Sequence, residues 1–433
     1  MLRSFVVRST TPATEPVGNL AAVSAYRLPL MDDIAQSLRA ELPLEGQLIA
    51  ACISTPATSE SRSRATALAA RDLDWDRVAS EAAGHFVIPP VHRFLAAHCA
   101  DRVPADIAAR LHAWYAANAL THLRLAHELV EVHEAFAAAG LGMLALKGPA
   151  LAVQAYGDLA ARQSGDLDIL VRQGDLPQVG RILTDRGYRP RRYQSGAPYF
   201  GFFRSFEDQF EKQGGLLIDL HLALVPSYFP YRPNHEAVWR NGVVVEIDGR
   251  WMQTLAPDNH LIFSIAHATK HGWGWASLRS MCDIAALTAT GLADWEQTED
   301  EMARLGCTRM FRLGAVLAQA FAGGHVPEGV LGRSTSDGRV MRLAVGIARR
   351  LFPAPGLLPS IYCDWVVPLS AIEGLGLRLQ YLLTRGLRPT IEDWEALPLP
   401  KAFYWAYYLT RPVRLLLQHG PRILPRTAQI ARQ

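Results

Sequence analysis

The chain has 433 residues, of which 49% are hydrophobic and 20% are charged, so it is long enough for several domains and too apolar to be largely disordered. Its 44 basic and 41 acidic side chains leave a formal net charge of +3, which argues against a protein that wraps a long nucleic acid. The five cysteines never form a C-x-x-C pair, so they predict neither a disulfide framework nor a thiolate zinc site.

The first part of the chain is predicted to be helical. Residues 1–25 are rich in Ser, Thr and Pro and are expected to form a flexible tail, and residues 26–138 are expected to form a helical region. Its predicted helices are 32–42, 45–53, 73–87 and 104–139, the last in one or two pieces. No apolar run approaches the ~20 residues of a membrane span, and no signal peptide is recognisable. We therefore expect a cytoplasmic protein without a transmembrane segment.

The pattern changes over 139–254, where short apolar runs alternate with helical periods. Strands are predicted over 141–146, 166–171, 199–212 and 216–224, and helices over 149–159 and 176–187. The sequence Gln-Gly-Gly at 213–215 predicts a hairpin between the last two strands. These elements predict an α+β fold with a small mixed sheet.

Residues 255–433 are predicted to form a second helical region. The expected helices are 258–271, 276–291, 295–323, 335–352, 369–385 and 400–418. From Leu399 onward the chain carries basic residues and no acid. This pattern is typical of a solvated terminal helix and tail, and it also suits contact with an anionic membrane or partner.

An Asp-x-Asp pair lies on the second predicted strand. Asp166 and Asp168 are two residues apart, so their side chains leave the same face with their Cα atoms roughly 6.5 Å apart. The pair alone suits either two solvated acids at a strand end or a Mg²⁺ site. Asp219 offers a third carboxylate inside an otherwise apolar strand, where it needs a metal or an arginine partner. His221 follows on the same face, where a positioning role is favoured over metal ligation.

The turn after the first strand is suited to binding an anion. Gly148 permits close approach, Lys147 adds a positive charge, and the following helix offers free N–H groups. The G-x-x-x-x-G-K-[ST] motif of a phosphate-binding Walker loop is absent. Arg162 is expected either to contact the same phosphates or to neutralise Asp158 or Asp166.

In this order, the motifs resemble the nucleotidyltransferase fold of the DNA polymerase β superfamily and, more narrowly, a bacterial family of uncharacterised nucleotidyltransferases. The residues that carry the resemblance are Leu146 to Leu151, Tyr156, Asp158, Arg162, Asp166 to Val171, Asp219 and His221, with helical pieces at 75–77, 267–273 and 283–284. The resemblance covers roughly residues 45 to 330. One departure is that Lys147-Gly148 stands where the superfamily usually has Gly-Ser.

The resemblance implies a DNA polymerase β-like core over 139–254, flanked by helical regions. It implies an enzyme that moves a nucleoside monophosphate (NMP) from a nucleoside triphosphate (NTP) to an unknown small molecule, peptide or protein, with Mg²⁺ or Mn²⁺ as cofactor. The implied catalytic and metal-binding residues are Asp166, Asp168 and Asp219, and the implied nucleotide contacts are Lys147, Gly148, Arg162, His221, Lys270 and His271. The alternative is a catalytically silent module of the same fold that binds a nucleotide or a partner.

Overall fold

The computed structural model describes residues 29–191, 206–274, 277–352 and 365–417. The predicted tail over 1–25 and the first part of the strand predicted over 199–212 lie outside the described residues. The described part of the chain begins with six helices: α1 (Pro29–Ala40), α2 (Leu44–Cys52), α3 (Ser59–Ala69), α4 (Trp75–Gly84), α5 (Ile88–His98) and α6 (Ala105–Ala138). Helix α6 is a single helix of 34 residues.

The middle of the chain supplies the sheet. Its elements are β1 (Met143–Ala145), α7 (Gly148–Leu151), β2 (Asp166–Val171), α8 (Leu176–Asp185), β3 (Tyr188–Pro190), β4 (Glu207–Lys212), β5 (Leu216–His221), α9 (His235–Arg240), β6 (Val243–Ile247) and β7 (Arg250–Thr254). The described strands form one seven-stranded sheet in the order β3-β4-β5-β2-β1-β7-β6. The β2–β5 and β1–β7 pairs are parallel and the other pairs are antiparallel. The predicted mixed sheet is therefore confirmed.

The rest of the described chain is helical. It consists of α10 (Pro257–Lys270), α11 (Ser277–Ala289), α12 (Trp295–Arg304), α13 (Thr308–Ala322), α14 (Glu328–Ser336), α15 (Gly338–Leu351), α16 (Val367–Ala371), α17 (Leu375–Leu387), α18 (Ile391–Ala396) and a last helix, α19, over 407–417. Helices from both ends of the chain share one hydrophobic core, in which Leu48 and Ile49 of α2 join Phe311 and Leu317 of α13. None of the helices in the described ranges is long and apolar enough to cross a membrane.

Several predicted boundaries are wrong. The single helix predicted over 295–323 is two helices, because the chain turns at Gly306, whose φ is +67°. The helix predicted over 149–159 runs from Gly148 through a π-helical turn and ends at Gly157, which has left-handed φ. Strands β3, β6 and β7 and helices α3, α5, α9, α14 and α18 were not predicted.

The two faces of the sheet differ in character. On one face, the alternate residues Leu167, Ile169, Ile218 and Leu220 are buried in a hydrophobic cluster with side chains of α6 and α8. Because side chains alternate along a strand, the residues between them must leave the opposite face. That opposite face, partly covered by α10, carries the predicted site.

Candidate functional site

Three carboxylates leave the same face of neighbouring strands β2 and β5. In the parallel pairing, Asp168 is the register partner of Asp219, and Asp166 is the partner of Leu217. Neighbouring strands lie about 4.8 Å apart, so Asp168 and Asp219 are adjacent and Asp166 lies one pleat away from them. The structure thus brings together the three predicted acids, which we call the carboxylate cluster.

Asp168 lies at the centre of the site and is 7% exposed. Its Oδ1 atom accepts hydrogen bonds from Lys147 Nζ at 3.3 Å and from His221 Nε2 at 3.1 Å. Burial alone would raise the pKa of the Asp168 carboxyl, but the Lys147 ammonium and the His221 contact outweigh it and hold that pKa well below its usual range. Asp168 is therefore a carboxylate in the folded protein.

The negative charges of the other two acids in the carboxylate cluster are less well compensated by neighbouring side chains. Asp219 Oδ1 accepts a hydrogen bond of 2.9 Å from Gln209 Nε2 of β4. Burial, together with the charges of Asp168 and Asp166, raises the pKa of Asp219 to about 6. Burial and the Asp168 charge also raise the pKa of Asp166. The site thus concentrates negative charge that the described side chains neutralise only in part.

The turn between β1 and α7 lies beside the start of β2. Gly148 has a φ of +54°, and a Cβ atom at this position would lie 3.2 Å from the Asp166 carbonyl oxygen. Only glycine fits this conformation and this close approach without strain. Lys147 extends from the same turn, with its Nζ atom 4.9 Å from the centre of the Phe263 ring of α10. The turn and the carboxylate cluster therefore form one site.

Arg162 is committed to an ion pair rather than to the carboxylate cluster. Its Nε and Nη2 atoms donate to the two Asp283 oxygens of α11 at 2.8 and 3.0 Å, and the Tyr156 hydroxyl donates to Oδ1 at 2.9 Å. We call these three residues the Asp283 cluster. Arg162 Nη1 is buried and has no hydrogen-bond partner in the described residues. The ion-pair partner of Arg162 is therefore Asp283 rather than Asp158 or Asp166, although the Arg162 charge also acts to lower the pKa of Asp166. Its contact with the phosphates stays a prediction.

Lys270 and His271 lie at the end of α10. Lys270 Nζ is 3.9 Å from Glu207 Oε2 of β4 and 4.7 Å from the centre of the Phe206 ring. Burial lowers the pKa of Lys270. His271 lies just past the helix and is exposed, with its ring centre 4.7 Å from that of His267. Lys270 therefore borders the site through Glu207, whose register partner is His221.

Four further residues belong to the site and were not predicted. Gln209 could have been found from its position opposite Asp219 in the predicted hairpin. Arg279 Nη1 of α11 donates to the Gln163 carbonyl, and the Arg279 charge acts to lower the pKa of Asp166 against burial, which raises it. The Ser164 hydroxyl, buried beside Gly148, hydrogen-bonds to His122 of α6 at 2.9 Å. No local sequence signal links these last three residues to the site.

Oxygen donors dominate the cluster, which is the donor set that Mg²⁺ prefers. Within the described parts of the chain, no three His, Cys, Asp or Glu side chains already surround a common metal position. Instead, Lys147 and His221 donate hydrogen bonds to Asp168 Oδ1. The donor chemistry and the excess negative charge fit a divalent cation.

Comparison with known proteins gives one family. A family model described as "Uncharacterised nucleotidyltransferase" matches residues 71–323, which include α4 to α13 and all seven described strands. The match covers more than half of the chain and contains every residue of the site. No curated protein matches the chain significantly.

Proposed function

The chain belongs to this family of uncharacterised nucleotidyltransferases, and from that premise we propose that it is a metal-dependent enzyme that moves an NMP group from an NTP to an acceptor, with release of pyrophosphate. The carboxylate cluster carries this proposal. Three acids on one face of two adjacent strands, two of them with raised pKa values, form a site that a divalent cation would neutralise.

The proposal includes a DNA polymerase β-like core. Its support is the parallel pairing of the Asp-x-Asp strand with the strand of the third acid, beside a glycine turn that leads into a helix. In this arrangement Asp166, Asp168 and Asp219 would hold Mg²⁺ or Mn²⁺. When bound, the metal would supply charge stabilisation on the phosphoryl oxygens.

The turn residues would bind the nucleotide phosphates. Lys147 Nζ is 3.3 Å from Asp168 Oδ1, so the ammonium would lie beside a metal bound by Asp168. There it could also pair with the nucleotide phosphates that bind the metal. Gly148 leaves room beside the β2 backbone. Arg162 acts on the site as a positioning residue, because its bidentate pair with Asp283 anchors the loop that precedes β2.

The reaction is a displacement at phosphorus. An oxygen of the acceptor forms a bond to the α-phosphorus of the NTP, and the bond from that phosphorus to the bridging oxygen of the β-phosphate breaks. Pyrophosphate leaves with the electron pair, and the acceptor's proton passes to solvent. The chain's residues contribute positioning and charge neutralisation, which are the main requirements of phosphoryl chemistry.

The first test uses pyrophosphate release. The protein is incubated with Mg²⁺, each of the four NTPs labelled at the α-phosphate, and a panel of small molecules and peptides that bear hydroxyl or phosphate groups. We expect pyrophosphate release and labelled product with wild type, and a loss of about 100-fold or more for Asp168→Asn. Asp185→Asn, at an exposed position of α8, is the matched control and should retain full activity.

Equal release by wild type and Asp168→Asn would contradict the proposal. The same assay separates the enzyme from the silent module. That alternative predicts metal-dependent NTP binding without pyrophosphate release across the whole acceptor panel. Retention of all three acids favours the enzyme, because binding a nucleotide alone does not require a full set of catalytic carboxylates.

A further inference from the structure

A second site lies beside the carboxylate cluster. A cavity of about 560 Å³ opens between the loop that follows β5 and the helices α17 and α18. Its volume falls within the range of about 300–1,000 Å³ that is usual for small-molecule sites. One wall is apolar and includes Val225, Tyr228 and Ile391. Four arginines, Arg232, Arg385, Arg388 and Arg411, also line it.

Two of these arginines converge without a counter-charge. Arg388 Nη1 donates to the Ser227 hydroxyl, and Arg232 Nη2 donates to the Ser227 carbonyl at 3.0 Å. In the described segments, no carboxylate lies within ion-pair distance of Arg232 or Arg388. Arg411, which also borders the cavity, is different, because Asp393 neutralises it at 2.8 Å. Two guanidinium groups that meet at an uncharged serine form a place where an anion would be stabilised.

Two residues that line the cavity also contact a residue that borders the carboxylate cluster. Phe206 and Glu207, which line it, also contact Lys270. Glu207 is the register partner of His221, and His221 Nε2 is 3.1 Å from Asp168. A molecule in the cavity that extends past Glu207 would therefore approach the carboxylate cluster along the polar face of the sheet.

We propose that this cavity binds the acceptor, and that the acceptor is a small molecule or chain end that carries a phosphate or carboxylate beside an apolar group. The proposal rests on the proposed function and deepens it. Arg232 and Arg388 hold the anionic group, while the apolar wall holds the body of the molecule. An oxygen of this acceptor then lies toward the metal-binding face, where it can reach the nucleotide.

Binding of a defined probe tests this assignment. Phenyl phosphate combines an anion with an aromatic body, benzoate replaces the phosphate by a carboxylate, and phenol lacks the charge. Calorimetric titration of the full chain should detect phenyl phosphate or benzoate but not phenol. The double substitution Arg232→Gln and Arg388→Gln should weaken the affinity for the anionic probe by about tenfold or more. Arg181→Gln, at an exposed position of α8, should leave the binding unchanged.

Nucleotide binding, measured on the same variants, separates this inference from the proposed function. We expect the double variant to bind Mg²⁺ and NTP as wild type does, and the anionic probe to bind together with the nucleotide. Probe binding that is insensitive to the double substitution, or that is lost when the NTP is added, would overturn the acceptor site while leaving the nucleotide site intact. Absence of NTP binding in wild type would instead count against the proposed function.

Discussion

The Asp283 cluster and the carboxylate cluster are two groups of buried charged residues that differ in how their charges are compensated. In the Asp283 cluster, both carboxylate oxygens accept hydrogen bonds from the Arg162 guanidinium, and Oδ1 also accepts one from the Tyr156 hydroxyl. In the carboxylate cluster, three acids share the Lys147 ammonium, the His221 imidazole and the Gln209 amide. The Asp283 carboxylate is fully paired within the protein, whereas in the second group the pKa values of Asp166 and Asp219 stay raised by burial and by the neighbouring carboxylates.

This difference in compensation leads to different expectations for the two clusters. A buried ion pair holds two elements together, and removing one partner leaves an unpaired buried charge. A group of like charges on one sheet face weakens the fold and is retained where a ligand compensates for it. Substitutions in the two clusters should therefore act on stability with opposite signs.

The largest expected effect is at Asp283. Asp283→Asn leaves the buried Arg162 guanidinium without a counter-charge, so we expect the free energy of unfolding to fall by about 3–5 kcal/mol. Denaturant titration followed by circular dichroism measures this change. The combined substitution Arg162→Met and Asp283→Leu should recover most of the loss. A loss below about 0.5 kcal/mol for Asp283→Asn would show that the two clusters do not differ in this way.

Substitution of Asp219 should change the free energy of unfolding in the opposite direction. The folded chain raises its pKa from 3.8 to about 6, so folded protein binds more protons between these values. Stability from this group is present below about pH 4 and is lost as the pH rises through about 6. Asp219→Asn should therefore raise the free energy of unfolding of the metal-free protein at neutral pH by about 2 kcal/mol.

Unfolding in chelator at several pH values measures the Asp219 effect. The difference between Asp219→Asn and wild type should shrink as the pH falls from about 7 to about 4, and the exposed Asp185→Asn should show no such trend. A destabilised Asp219→Asn, or a difference that does not depend on pH, would indicate that the carboxylate is satisfied within the fold.

The smallest expected effect concerns the glycine turn that touches the carboxylate cluster. Gly148→Ala places a Cβ atom 3.2 Å from the Asp166 carbonyl oxygen at a φ of +54°, so we expect a loss of about 1–2 kcal/mol in stability and a higher KM for the NTP. Gly165→Ala is the matched control, since a Cβ there meets nothing within 4 Å. Equal effects of the two substitutions would show that the contact with the Asp166 carbonyl oxygen does not cause the loss.

The sequence predicted the part of the site that depends on strand alternation. Asp166 and Asp168 share a face because they are two residues apart, and the apolar residues around Asp219 mark it as a strand residue with an unusual charge. The same reasoning missed β6 and β7, although Asp248-Gly249 between them is a turn signal and both residues have positive φ. The β2–β5 register and the pairing of Asp168 with Asp219 come only from the fold.

The ion-pair partner of Arg162 could not be predicted from local sequence patterns. Asp283 is 121 residues away in sequence and reaches Arg162 because α11 packs beside the turn after α7. An acid inside the otherwise apolar run Met281 to Leu287 does signal a buried partner, and the many arginines of this chain leave its identity open. Arg279 and the pair of Ser164 with His122 likewise depend on how helices pack on the site.

A crystal structure with Mn²⁺ and an NTP analogue that cannot be cleaved at the α-phosphate tests the central claim most directly. The anomalous signal of manganese locates the metal without reference to the protein coordinates. Our account predicts Mn²⁺ bound by oxygens of Asp166, Asp168 and Asp219, with the nucleotide phosphates beside Lys147 and Gly148. Manganese and nucleotide bound away from these three aspartates, with Asp168 still paired to Lys147 and His221, would contradict it.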